Sequence, residues 1–370
     1  MPTLPERVLL VSLIKNSEKE KIKSRLEELE SLAKTAGCEV VGKIYQIRES
    51  PDPKFYIGKG KVEEIKGIIG ENFIDTIIFD KPLQGKYHRN LEKELGIKVI
   101  DRTELIMDIF AQHARTAEAK IQVELAQLKY RLTQLKGKGK ELSRLGGGIG
   151  TRGPGEKKLE VDRRRIIERI RHLNKELQRI EKMRMERVKR RKNFIQVSLV
   201  GYTNAGKSSL MNILTNSSLK VEDALFVTLD TTTRRIKLWD NLPCLLTDTV
   251  GFIEDLPAEL VASFRSTLSH IKEADILIEV VDVSCENFIE KMNVVEKTLI
   301  EMDSANIPRI YAFNKIDLVL DRNLIKSLIK NYENSFLISC KTGEGIEELK
   351  NFLFKKIYEL LKFKFFSFKI

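Results

Sequence analysis

Four short stretches hold residues whose types and spacing fit one chemistry. In Gly201 to Ser208, "GYTNAGKS", Gly201 and Gly206 let the backbone wrap an anion. Lys207 reaches the β- and γ-phosphates of a nucleoside triphosphate, and Ser208 offers a hydroxyl to Mg2+. Tyr202, Thr203, Asn204 and Ala205 line the same loop, and Ser209 follows it. "LLTDTVG" then delivers Asp248 beside the metal, with Thr249 and Val250 leading to Gly251. The Gly251 N–H can meet the γ-phosphate with no side chain in the way. "AFNKID" groups Asn314, Lys315 and Asp317; an aspartate carboxylate accepts both N–H groups on the guanine edge, and adenine lacks that donor pair. "ISCKTG" supplies Ser339, Cys340 and Lys341, whose loop can offer a backbone N–H to the guanine carbonyl. Together the four motifs point to GTP rather than ATP, with Lys207 and Gly251 as catalytic candidates. Phe252 follows Gly251 and cannot hydrogen-bond water, so slow intrinsic hydrolysis is expected. The same side chain also suits anchoring of the loop in an apolar pocket.

These motifs need elements to hold them. "FIQVSLV" reads as a strand entering the glycine loop with a helix after it, and each later motif closes another strand. Residues 7–102 alternate apolar runs such as "RVLLVSL" and "DTIIFD" with helical patterns, which predicts a small parallel sheet with crossover helices. Within it Gly58-Lys59-Gly60-Lys61 reads as a turn into a helix rather than a phosphate site. Ile121, Leu125, Leu128, Leu132 and Leu135 form one apolar stripe, and Ile166, Ile170, Leu173, Leu177 and Ile180 form another. The two predict an antiparallel pair of long helices, the second from about Glu156 to Asn193. "RLGGGIGTRGPGEKK", Arg144 to Lys158, is then the hairpin tip. The expected fold class is α/β: residues 1–102 an N-terminal α/β domain, 103–193 the hairpin, 194–362 a Ras-like P-loop domain and 363–370 a tail. The tail alternates aromatic residues and lysine, which suits a closing strand, a membrane-surface or partner contact, or an element packing on the P-loop domain.

Composition narrows the partners. An apolar content of 42% over 370 residues excludes a disordered chain. No run approaches membrane-helix length and no signal-peptide pattern opens the chain, so a cytoplasmic protein is expected, with a peripheral membrane-associated fraction allowed; a monomer is also expected. Cys38, Cys244, Cys285 and Cys340 are dispersed, as are His88, His113, His172 and His270, and neither set suggests a metal site or a disulfide framework. Residues 103–193 hold 25 lysines and arginines against 12 acids, an excess of 13 that exceeds the net +12 of the whole chain. Charge concentrated in this way suits a polyanion, most often nucleic acid. Arg144, Arg152, Lys157 and Lys158 would then contact phosphate while the tip glycines let backbone approach RNA. A signalling or scaffold GTPase whose hairpin grips an acidic protein is the competing reading; an RNA helicase-like ATPase is disfavoured by Asp317.

"NKID" and "SCKTG" resemble the base-recognition motifs of the translation-factor GTPases. "GGGIGTRGPGEKKLEVDRRRI", "YIGKGKVEEI" and "DTVGFI" together resemble the HflX family of ribosome-associated GTPases, over about residues 7–360. The resemblance implies binding to the large ribosomal subunit and its RNA, and splitting or rescue of stalled ribosomes. It also makes Thr228 the switch-I threonine that closes on Mg2+ and the γ-phosphate, with Thr231, Thr232 and Thr233 as rivals or simply β-formers. Where the family usually has proline, this chain has Thr231. Asn204 resembles the asparagine that, in related GTPases, helps hold a monovalent cation such as K+.

Overall fold

The computed structural model describes residues 5–135, 154–190, 194–215, 224–226, 232–236, 244–257, 260, 263 and 270–366. They divide into two compact units, Met1–Gln178 with Pro257–Ser263, and Arg179–Leu256 with Phe264–Ile370. Among the described residues no helix is long and apolar enough to cross a membrane.

The first unit contains the expected parallel sheet. Its strands are β1 (Arg7–Ile14), β2 (Glu39–Ile47), β3 (Thr76–Phe79) and β4 (Lys98–Asp101), in the order β2-β1-β3-β4 and parallel throughout. Strand β1 is buried from Val8 to Ile14, which is why it reads as a continuous apolar run rather than an alternation. The crossovers are α1 (Ile22–Thr35), α2 (Lys59–Asn72) and α3 (Gly85–Leu95), and α4 (Arg102–His113) follows β4. Gly58 is the N-cap residue of α2, so the segment is a turn into a helix, and its N–H donates to Gln46 Oε1 at 2.8 Å.

The middle of the chain is helical, with α5 (Ala117–Leu135) and α6 (Pro154–Arg190). At 37 residues α6 is about 55 Å long, using about 1.5 Å per residue. Arg169 of α6 holds Glu124 of α5 through two hydrogen bonds of 2.7 and 2.8 Å. Both partners are largely exposed, so the pair is worth only about 0–1 kcal/mol. Burying Leu173 completely contributes about 1.5–3 kcal/mol and dominates. One expectation needs amending: in the α5 stripe only Leu125 is fully buried, and Ile121, Leu128, Leu132 and Leu135 are half-buried. The deeper positions are Ala119, Gln122, Val123, Ala126 and Tyr130, because α5 also packs on α3 and α4. A helix that serves two partners is apolar over more than one stripe. The tip, with Arg144 and Arg152, lies outside the described residues, as do the side chains of Lys157 and Lys158, whose backbone is in α6.

Asp101 joins α5 to the sheet. Its Oδ1 caps α4 by accepting the Glu104 N–H at 3.0 Å; Oδ2 accepts the Leu83 N–H at 2.7 Å and the Tyr130 hydroxyl. Gln134, one turn beyond Tyr130, donates to the Leu83 carbonyl at 2.9 Å. His88 completes the cluster, with Nδ1 3.1 Å from the Val99 carbonyl and Nε2 3.4 Å from Asp101 Oδ2. A carbonyl only accepts, so Nδ1 carries a proton; a second proton on Nε2 turns a lone-pair clash with the carboxylate into attraction. His88, Asp101 and Glu104 bring ligand atoms within 4.8 Å of one another, yet Asp101 already accepts three donors, an arrangement that suits a proton better than a metal.

The cluster makes the first unit pH-dependent. Burial disfavours the His88 imidazolium, but Asp101 and Glu104 outweigh it and raise its pKa. Burial pushes the Glu104 carboxyl up to about 7 against the pull of His88. A raised histidine contributes stability below its ordinary pKa that is lost as pH rises through the folded value. A raised carboxyl holds a proton the unfolded chain has released, so stability again falls with rising pH. Protection of the Leu83 and Glu104 amides from hydrogen exchange, corrected for intrinsic rate, is therefore expected to decline between about pH 5 and 8. Glu104→Gln should flatten the decline; an unchanged slope would exclude Glu104 from the titration.

The second unit is a six-stranded sheet ordered β10-β9-β8-β5-β7-β6. Its strands are β5 (Ile195–Val200), β6 (Thr232–Arg235), β7 (Cys244–Asp248), β8 (Ile276–Asp282), β9 (Arg309–Asn314) and β10 (Ser335–Leu337), with only β6 antiparallel to its neighbour. Helices α7 (Lys207–Thr215) and α10 (Ile346–Phe366) cover one face; α8 (Phe288–Glu301) and α9 (Arg322–Ile329) cover the other. Ile346, Leu349, Leu353, Ile357 and Leu361 give α10 one buried stripe at helical spacing. The helix runs on through Phe366, so the tail begins as helix rather than as a closing strand.

Candidate nucleotide-binding site

All four motifs lie at the carboxyl ends of parallel strands, where open α/β sheets present their ligand crevice: after β5, β7, β9 and β10. The P-loop spans the gap from β5 to α7. Lys207 is 6% exposed, and its Nζ donates to the carbonyls of Tyr202 at 2.8 Å and Gly201 at 3.2 Å. Burial lowers its pKa to about 8, with Asp248 opposing. Ser208 Oγ donates to Asp248 Oδ2 at 2.6 Å, and Thr249 Oγ1 donates to the Leu199 carbonyl at 2.6 Å. A hydroxyl beside a buried carboxylate is an oxygen donor set of the kind Mg2+ takes.

Asn314 braces this loop from the next strand but one. Its Nδ2 donates to the Ala205 carbonyl at 2.9 Å, and its Oδ1 accepts the Cys340 N–H at 3.0 Å. Gly206 has φ 98°, and a Cβ there would stand 2.2 Å from Asn314 Nδ2, so the brace requires glycine. Asp317 Oδ1 accepts the Ser339 hydroxyl at 2.6 Å, and Ser339 Oγ accepts the N–H groups of Lys341 and Thr342 at 3.2 and 3.1 Å. Ser339 is fully buried and aims the aspartate. Lys315 adopts the left-handed region at φ 66°, and its Nζ lies 2.7 Å from Asp282 Oδ2. Burial, then Asp317, pushes the Cys340 thiol up to about 12, so it stays neutral beside the base loop. All four cysteines are free.

Phe252 fulfils the anchoring reading: it is 2% exposed. Thr232 and Thr233 lie in β6, where Thr233 Oγ1 is 3.1 Å from Thr247 Oγ1, so both are strand residues. Thr228 and Thr231 lie outside the described residues. The structure thus brings together Gly201 to Ser209, Asp248 to Gly251, Asn314, Lys315, Asp317 and Ser339 to Lys341. Sequence reasoning missed that Asn314 and Ser339 act on other protein groups; no spacing signals a bond across 109 positions.

Comparison with known proteins agrees with this geometry. Residues 23–111 match the family model described as GTP-binding GTPase N-terminal, 113–191 the GTP-binding GTPase middle region and 196–315 the 50S ribosome-binding GTPase. GTPase HflX of Alkalihalophilus pseudofirmus is 51% identical over 347 residues, 93% of this chain and 81% of its own. The chain belongs to the HflX family of GTPases. HflX of Escherichia coli is 42% identical over 347 residues, with the same coverage. A GTP-binding protein of the archaeon Sulfolobus solfataricus, solved in complex with GDP, is 27% identical with a TM-score of 0.52, covering 96% of this chain and 99% of that one. As a member of the HflX family the protein is a GTPase, and its P-loop unit is the enzyme.

Proposed function

We propose that this protein is a cytoplasmic, ribosome-associated GTPase that binds the large subunit and splits or rescues stalled ribosomes, working as a monomer. Residues 1–102 form the N-terminal α/β domain, the basic hairpin 103–193 engages the ribosome and its RNA, 194–362 bind and hydrolyse GTP, and 363–370 form the C-terminal tail. The match of 196–315 to a 50S ribosome-binding GTPase carries this reading. Exposed Arg163, Arg164, Arg165, Arg171, Lys175, Arg179 and Lys182 along α6 support it, since such a row neutralises phosphate without needing base contacts.

In the mechanism, Lys207 neutralises charge on the β- and γ-phosphates and Gly251 donates its N–H to the γ-phosphate. Ser208, Thr228 and, behind them, Asp248 would hold Mg2+, which supplies charge neutralisation between the phosphates. Asp317 reads the guanine edge while Asn314, Lys315, Ser339, Cys340 and Lys341 shape its pocket; Arg144, Arg152, Lys157 and Lys158 contact RNA. With Phe252 retracted from water, intrinsic hydrolysis is slow, and ribosomes stimulate it. Asn204 is assigned to K+, and faster turnover in potassium than in sodium checks that assignment.

Co-sedimentation with ribosomal subunits, in GDP and in a non-hydrolysable GTP analogue, tests the reading. Binding to the large subunit favoured by the analogue is expected, and no binding in either state would overturn it in favour of an acidic protein partner. Replacing Arg152, Lys157 and Lys158 with alanine should weaken ribosome binding and flatten its salt dependence, each lost phosphate contact lowering the slope by roughly 0.7–0.9. GTP affinity of the free protein should hardly change. Normal ribosome binding in the triple variant would remove the tip from the interface.

A further inference from the structure

Tyr202 and Thr203, between the two P-loop glycines, are 8% and 7% exposed, and much of their hydrogen bonding is spent on other protein segments rather than on the loop. The Phe252 N–H donates to the Gly201 carbonyl at 3.1 Å, and the Thr203 N–H donates to the Phe252 carbonyl at 2.8 Å, a parallel bridge between P-loop and switch. The Glu254 N–H donates to the Tyr202 hydroxyl at 3.0 Å. The Phe226 N–H, ahead of the switch-I threonines, donates to Thr203 Oγ1 at 3.0 Å. Two P-loop hydroxyls therefore accept main-chain N–H groups from both sides of the catalytic crevice.

The bridge also sets where Gly251 lies. Leu199 pairs with Asp248 in the β5–β7 ladder, whereas Tyr202 pairs with Phe252, so three residues on one strand span four on the other. The extra residue is absorbed just before Phe252. There a Cβ on Gly251 would stand 2.6 Å from Thr203 Cα and 2.9 Å from Lys207 Nζ, so this close approach requires glycine.

We propose that Tyr202 and Thr203 are positioning residues for GTP hydrolysis: the Tyr202 hydroxyl holds the backbone just after Gly251 so that the Gly251 N–H is preset for the γ-phosphate, and the Thr203 hydroxyl holds the Phe226 backbone on the opposite side of the crevice. The physical reason is the retracted Phe252. With no side chain at that position to orient water, the switch stabilises charge through its backbone, and backbone donors help only when they are already in place. Displacements of about 1 Å cost up to about a hundredfold in rate. The proposal rests on the GTPase activity alone, so its outcome is independent of ribosome binding.

The test uses the full chain without ribosomes and reads single-turnover GTP hydrolysis beside GDP affinity. Tyr202→Phe and Thr203→Val should each slow hydrolysis by about tenfold while GDP affinity stays near the wild-type value, since the lost contacts lie on the γ-phosphate side. Thr203→Ser keeps the acceptor and should restore the rate. The double variant should lose about the product of the single losses, because the two hydroxyls hold separate backbone segments, at Glu254 and at Phe226. Wild-type rates in both single variants, or faster ones, would overturn the proposal. So would GDP affinity falling in step with the rate, which would mean that the hydroxyls only hold the pocket together. If Thr203→Val fails to fold, Tyr202→Phe decides alone, with unchanged GDP binding as its control.

Discussion

Asp317→Asn is expected to weaken GTP binding by about 10- to 150-fold, the equivalent of losing a charged hydrogen bond of about 1.5–3 kcal/mol. The carboxylate can accept both N–H groups of the guanine edge; an amide turns a donor toward a donor. Xanthosine triphosphate, which presents an acceptor there, should bind the variant better than the wild type. The fold should survive, because the remaining amide oxygen can still accept the Ser339 hydroxyl that now sits 2.6 Å from Asp317 Oδ1. Competitive titration of the two nucleotides measures the exchange, and unchanged GTP affinity would remove Asp317 from base recognition.

Lys207→Ala should lower the rate of hydrolysis by about 10²–10³-fold, the usual cost of losing one donor preset for transition-state charge. The wild-type side chain adds a pH signature. Burial brings its ammonium down to about 8, and a bound polyphosphate restores the charged form. Above about pH 8 nucleotide binding must therefore take up a proton, and affinity should fall by up to about tenfold per pH unit. Titration between about pH 7 and 9 checks this, with Lys207→Ala as the control that lacks the dependence. A wild-type affinity flat across that range would contradict a depressed Lys207.

The nucleotide motifs were legible because each is contiguous: a strand, a tight loop and a helix fix "GYTNAGKS" locally, whatever surrounds it. The parallel sheet of the first unit was legible for a similar reason, since β1 and β3 are buried on both faces and read as unbroken apolar runs. The hairpin stripes were only half legible. Periodicity finds an apolar face but not its partner, and α5 buries Tyr130 against α3 and α4 while offering its other side to α6. His88 looked isolated in the chain and stands beside Asp101 because the parallel order β3-β4 brings the start of α3 against the end of β4.

Phosphate wrapping and guanine reading need particular residue types at fixed local spacings, so the nucleotide chemistry could be read along the chain. Tertiary structure alone decided which of those residues touch one another. Asn314 reaches Ala205, Ser339 reaches Asp317, and Tyr202 and Thr203 reach Glu254 and Phe252, because sheet order places the strand ends side by side. Local spacing carries no record of strand order, which is set by how apolar faces are buried across the whole unit.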